Sequence, residues 1–172
     1  MNESTLTAPV FRPAATGRTT WAMGSLFETL LSASDSGGEL GVSVVTQPPG
    51  IATPLHLHAN ESEAIYLLAG TMTYRAGDEV HRLAEGDFVF LPKGVPHAFR
   101  ITGRTPAKVV ALTVPGGLLS LYDEVGVPAT ERRLPGEDGL SMAEEIQRWN
   151  EIGPRYGLTV VGPPIPDDEP AS

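Results

Sequence analysis

The chain has 172 residues, a formal net charge of −9 and no cysteine. That length suits one domain with a real core. The acidic balance excludes a nucleic-acid binder, which needs a basic face to displace counterions, and disfavours an anionic membrane surface; the missing cysteines exclude disulfides, thiol catalysis and cysteine-based zinc fingers.

Met1 to Thr20 is polar and rich in Pro, Ala and Thr, and reads as an arm. It lacks a basic start followed by an apolar stretch, and no run approaches the roughly 18 apolar residues of a membrane span, so a cytoplasmic protein is expected. Ser25 to Leu31 reads as a strand and Ser32 to Glu39 as a turn cluster. "LGVSVVTQ" is a strand with Val42, Val44 and Thr46 on one face and Ser43 and Val45 on the other. "TMTYR" and "VHRL" flank Gly77-Asp78 and predict a hairpin. "GDFVFLPKG", "HAFRI" and "AKVVALTV" complete a series of short strands separated by turns, the pattern of a sandwich or small barrel. Ser141 with Glu144 predicts a capping box on a helix with apolar positions Met142, Ile146 and Trp149, stopped by Gly153-Pro154. "GLTVV" reads as a last strand, and "GPPIPDDEPAS" as a tail that does not order itself.

Side chains in a strand alternate faces, so His56 and His58 point the same way. Glu63 would point oppositely on an unbroken strand. Ala59-Asn60-Glu61-Ser62 is turn-like, so the strand breaks there and Glu63 restarts inward, sharing its face with Ile65 and Leu67. His97 follows a tight "PKGVP" turn and shares a face with Phe99 and Ile101. Three imidazoles and a carboxylate are a natural ligand set for a divalent transition metal. One histidine alone would read as a buried structural residue; three, at these spacings with Glu63, read as ligands. Glu61 is the rival to Glu63.

Gly50-x5-His56-x-His58-x4-Glu63-x6-Gly70 resembles the first cupin motif at every fixed position, and Gly86-x5-Pro92-x-Gly94-x2-His97 resembles the second through its histidine. The second motif usually closes with Asn after three further residues, where this chain has Ile101, which makes the pocket floor more apolar. The resemblance implies an all-β fold: a double-stranded β-helix, or jelly roll, with a short C-terminal helix. It implies His56, His58, Glu63 and His97 as ligands of one Fe, Ni, Mn, Co, Cu or Zn ion per chain. "SASDSGG", "VPGGLLSLYDEVGVPA" and "YGLTVVGPP" extend a looser likeness to the quercetin 2,3-dioxygenase-like branch. The expected organisation is an arm (1–20), a barrel (21–128) and a C-terminal helix and tail on the barrel (129–172).

His81 reads as an exposed strand residue, and Trp149 as packing that seals the barrel or a partner. Phe88, Phe90, Phe99, Ile65 and Leu67 are core or pocket lining. No G-x-S-x-G elbow is present, and Gly116-Gly117 lacks the flanks of a phosphate loop. Ile65, Leu67, Phe99 and Ile101 suggest apolar pocket walls, suited to a small aromatic or hydrophobic substrate. Open metal positions would let a substrate oxygen and O2 meet. The branch likeness implies a dioxygenase cleaving a flavonol or other enol-bearing aromatic, with Glu63 as a ligand that also serves as catalytic base. An isomerase or cyclase of secondary metabolism on the same site, and a non-enzymatic binding cupin, are the alternatives. A homodimer is expected, with the arm long enough to reach a neighbour.

Overall fold

The β-branched runs that alternate at period two pair into two antiparallel sheets in the computed structural model, which describes residues 8–167. The strands are β1 (Arg18–Ala22), β2 (Ser25–Leu31), β3 (Gly41–Gln47), β4 (Pro54–His58), β5 (Ser62–Ala69), β6 (Thr71–Ala76), β7 (Glu79–Ala84), β8 (Phe88–Leu91), β9 (His97–Ile101) and β10 (Ala107–Val114). Then come helix α1 (Leu119–Val125), strand β11 (Val127–Pro128), helix α2 (Met142–Ile152) and strand β12 (Leu158–Pro164). One sheet has seven strands, in the order β11-β1-β2-β3-β10-β5-β8; the other has five, in the order β12-β4-β9-β6-β7. The main core includes Phe27, Val45, Leu67, Met72, Tyr74, Ile101 and Val109. The arrangement is the all-β jelly roll expected from the sequence. The Gly77-Asp78 hairpin joins β6 and β7 as predicted.

Strand parity decides which side chains enter the barrel. In β3 the buried set is Gly41, Ser43, Val45 and Gln47, while Val42, Val44 and Thr46 are half-buried. The more polar face thus points inward, against the simplest hydrophobic reading. On β5, Ile65 and Leu67 are buried. On β8, Val89 pairs with Ile65 and Leu91 with Glu63, which sends Phe88 and Phe90 outward, 60% and 58% exposed. These two phenylalanines are therefore neither core nor pocket lining, contrary to expectation. Gly70, between β5 and β6, has φ +88°, and a Cβ there would come within 2.7 Å of the Ala107 Cα. Only glycine allows that approach without displacing β10.

Three boundaries differ from expectation. β1 begins at Arg18, inside the expected arm, because Thr20 pairs with Phe27 and Trp21 with Leu26, and the Trp21 indole donates to the Arg133 carbonyl at 2.7 Å. A helix, α1, closes the barrel segment where no element was predicted. The expected loose tail is ordered as far as Asp167: β12 runs to Pro164 along β4, Ile165 is buried, and Arg100 donates to the Ile165 carbonyl at 2.8 Å. Residues 168–172 and 1–7 lie outside the described residues.

The capping box of α2 is present, with Ser141 Oγ accepting from the Glu144 N–H at 3.3 Å and Glu144 Oε2 from the Ser141 N–H at 2.9 Å. Its buried face carries Glu145 and Trp149, however, while Met142 and Ile146 are exposed. Glu145 faces inward because it meets the turn between β1 and β2. Trp149 joins Leu118, Leu121, Val125 and Leu158 in a second core cluster, which seats both helices at one end of the barrel. Among the described residues, no helix is long and apolar enough to cross a membrane.

Candidate metal centre and adjoining cavity

β4 supplies His56 and His58 on one face, as period-two alternation requires. His56 lies directly across from His97 of β9. The turn before β9 is tied to β4 by the Gly94 N–H, which donates to the His58 carbonyl at 2.8 Å. This contact brings the second motif to the first. The three imidazoles are buried, and their ligand atoms lie within 4.8 Å of one another. The chain breaks after His58 and crosses to the other sheet, so Glu63 of β5 approaches from the opposite wall. Its Oε2 stands 3.5 Å from His97 Nε2 and 3.9 Å from His58 Nε2. Glu61, the rival carboxylate, is buried elsewhere: a Cβ at Gly117 would lie 3.3 Å from its Oε1.

Backbone carbonyls select the ring tautomers. His56 Nδ1 is 2.8 Å from the Pro54 carbonyl, and His97 Nδ1 is 3.0 Å from the Val95 carbonyl. A carbonyl only accepts, so both Nδ1 atoms donate, and each neutral ring keeps its lone pair on Nε2. Such outer hydrogen bonds orient metal-binding histidines and make them better donors. Among the described residues, neither ring nitrogen of His58 has a hydrogen-bond partner, nor has His97 Nε2. Burying such groups unpaired costs about 1–3 kcal/mol each, which a bound cation would offset. Burial lowers His56 to about 3, assisted by its two histidine neighbours. Burial likewise lowers His58 to about 4, against the pull of Glu63. Burial also works to lower His97, but the Glu63 carboxylate outweighs it and raises that ring. Burial in turn pushes Glu63 up, and the histidines, His97 foremost, bring it below the usual carboxylate value. The residues therefore fit a divalent transition metal: three buried imidazoles with their ligand atoms close together, and the Glu63 carboxylate beside two of them.

A cavity of about 80 Å³ opens beside Glu63. Its walls come from both sheets and both helices. Of the four residues expected as pocket walls, Ile65 and Phe99 line this cavity; Leu67 and Ile101 do not. Those two are packed in the core, 0% and 1% exposed, in one cluster with Met72, Tyr74 and Val109. Residues not anticipated as lining include Phe27, Ser43, Thr113, Tyr122, Met142 and Trp149. Tyr122 stacks on Phe27 with ring centroids 4.3 Å apart and meets Trp149 at 5.7 Å. Trp149 in turn stands edge-on to His56 at 6.1 Å. The inward parity of Ser43 was readable as alternation. Trp149 was read from its helix as packing that seals the barrel, and it does pack there; Tyr122 had no sequence signal, since α1 was not predicted. Among the described residues, Glu63 is the one charged residue that lines the cavity.

The Cupin domain family profile matches residues 43–114. Quercetin 2,3-dioxygenase of Bacillus subtilis is 33% identical over 114 residues, covering 66% of this chain and 29% of that protein. Protein SchB of Streptomyces halstedii is 35% identical over 82 residues, covering 48% of this chain and 58% of that one. The chain thus spans less than two thirds of the length of either relative. Among solved structures, a predicted oxalate decarboxylase from Thermotoga maritima superposes with a TM-score of 0.56 at 22% identity, covering 62% of this chain and 99% of that one. That likeness is one of fold.

Proposed function

We propose that this chain, which belongs to the cupin superfamily, is a metal-dependent dioxygenase acting on a flavonol-like or other enol-bearing aromatic substrate. One observation carries the reading: three buried histidines converge beside the Glu63 carboxylate at the edge of an apolar, aromatic-walled cavity. The similarity to the Bacillus subtilis quercetin 2,3-dioxygenase supports the substrate class.

In this reading His56, His58, His97 and Glu63 hold one ion of Fe, Ni, Mn, Co, Cu or Zn. When bound, the metal supplies open positions where a substrate oxygen and O2 meet. The protein does the rest. The Pro54 and Val95 carbonyls keep the rings of His56 and His97 turned inward. Glu63, only 13% exposed and held anionic by the histidines, is placed to take the proton from an enolic hydroxyl entering the cavity. Phe27, Phe99, Tyr122 and Trp149 offer faces to an aromatic ring and keep water away from the carboxylate. We also propose a homodimer: the chain from residue 8 to residue 16 is exposed ahead of β1, with Phe11 88% exposed, and can reach a second copy.

The test is oxygen consumption with quercetin after loading each metal in turn. Turnover with at least one metal is expected, and none with any metal would overturn the flavonol reading. Turnover of an enol substrate without O2 would favour the isomerase or cyclase alternative. A size-exclusion mass of one chain would contradict the dimer.

A further inference from the structure

Two hydroxyls in the cavity wall have nothing to bond to. Ser43 Oγ on β3 and Thr113 Oγ1 on β10 are buried, their residues 0% and 1% exposed, and neither has a hydrogen-bond partner among the described residues. Both residues line the cavity. Their places are linked by the ladder. Ser43 pairs with Ala111, two residues before Thr113, so the two hydroxyl-bearing side chains leave the same face of adjacent strands. Thr113 is flanked by Gly41 on one side and by Glu63 on the other. The glycine makes room for it, since a Cβ at position 41 would fall 2.6 Å from Thr113 Oγ1. Buried polar groups in folded proteins are nearly always paired, and orphans call for an explanation. Alanine and valine would fill these two positions without the penalty.

The charge inventory narrows what the hydroxyls could meet. Among the described residues lining the cavity there is no Lys and no Arg, and Glu63 brings negative charge. A phosphate or a free carboxylate lying away from the histidines would find no cation and would face Glu63. An uncharged phenol or carbonyl oxygen would find hydroxyls that donate or accept as required, because a Ser or Thr O–H rotates to suit its partner.

We propose that Ser43 and Thr113 form a polar subsite, set on the Glu63 wall, that binds an uncharged oxygen function of an aromatic substrate and so determines which substrates enter. The subsite deepens the substrate reading above and rests on the cavity being the substrate site. It orients the ring system so that one oxygen meets the hydroxyl pair while another part of the molecule faces the histidines.

Binding tests this without any turnover, so failure of the dioxygenase reading and failure of the subsite are separable. Titration calorimetry on the full chain, with metal content measured, would compare three probes sharing one ring system: 2-naphthol, naphthalene and 2-naphthoate. The wild type is expected to prefer 2-naphthol over naphthalene by roughly 2–10-fold, the range of one net hydrogen bond, and to bind 2-naphthoate most weakly. In the Ser43→Ala/Thr113→Val double variant the preference for 2-naphthol is expected to vanish while naphthalene binding stays as it was. Thr113→Ser, which keeps the hydroxyl, is expected to retain it. Thermal unfolding of each variant verifies folding, and both near-isosteric changes are expected to leave the ligand-free protein as stable or more stable. A preference for 2-naphthoate, or an undiminished preference for 2-naphthol in the double variant, would overturn the proposal.

Discussion

Glu145 on α2 accepts a hydrogen bond at 2.8 Å from the backbone N–H of Gly24, in the turn between β1 and β2. Met23 and Gly24 have φ of 50° and 68°, the positive-φ pair of a tight hairpin turn. The carboxylate thus satisfies turn backbone and holds in place the helix that carries Trp149. Burial raises the Glu145 carboxyl above its usual value, partly offset by the backbone N–H groups of Gly24 and Met23. A folded-state pKa above the unfolded one means that the folded chain binds the proton more tightly. This group's contribution is therefore most favourable at low pH and is lost as pH rises from the unfolded value through the folded one. Urea unfolding of wild type and Glu145→Gln at pH 4 and pH 7 is expected to show the stability difference moving in favour of the Gln variant at pH 7. Glu145→Ala leaves the Gly24 N–H unpaired and is expected to cost about 1–3 kcal/mol.

Metal content should distinguish the two neighbouring glutamates. His56→Ala or His97→Ala is expected to lower metal affinity by more than the about 10–100-fold lost when a ligand's orienting partner is removed. Glu63→Gln is expected to weaken it too. Glu61→Gln is expected to leave it as in wild type, since Glu61 lies beside Gly117 and not at the histidines. Elemental analysis of the purified variants decides it; equal metal loss in Glu61→Gln would reverse the assignment.

Trp149 is buried, yet its indole N–H has no hydrogen-bond partner among the described residues. Its value should lie in filled volume. Trp149→Ala is expected to cost about 3–5 kcal/mol by cavity formation. Trp149→Phe keeps an aromatic face and sheds the unpaired donor, and is expected to cost less than about 1.5 kcal/mol. Denaturant midpoints would measure both.

Leu67 and Phe99 should respond in opposite ways, since one is core and the other lines the cavity. Leu67→Ala is expected to lose about 2–5 kcal/mol of stability with little change in ligand affinity. Phe99→Ala is expected to weaken aromatic ligand binding more than it weakens the fold. Parallel thermal unfolding and calorimetry with 2-naphthol would show the contrast, and a matched response would place both residues in one role.

How much of this was legible beforehand differs from residue to residue. Alternation along "PLHLH" put His56 and His58 on one face, and the polar break read at 59–62 gave Glu63 its inward start. Both are local, because period-two geometry and turn chemistry act over a few residues. The face of β3 was harder to read. Two of its three valines are only half-buried, while Ser43 and Gln47 point inward with Val45, since register with β2 and β10 overrides local hydrophobicity. Phe88 and Phe90 were misplaced for the same reason: their direction follows from pairing with β5.

Strand spacing, turn residues and the two histidine motifs were thus determined by the sequence alone, because each depends on neighbours a few bonds away. Which groups meet across the barrel was decided only by the tertiary structure. Glu63 faces histidines of the other sheet, Tyr122 and Trp149 arrive from helices outside the strand series, and Ser43 and Thr113 are left with unpaired hydroxyls in the cavity wall. Those encounters join residues far apart in the chain, and strand register together with helix docking fixes them.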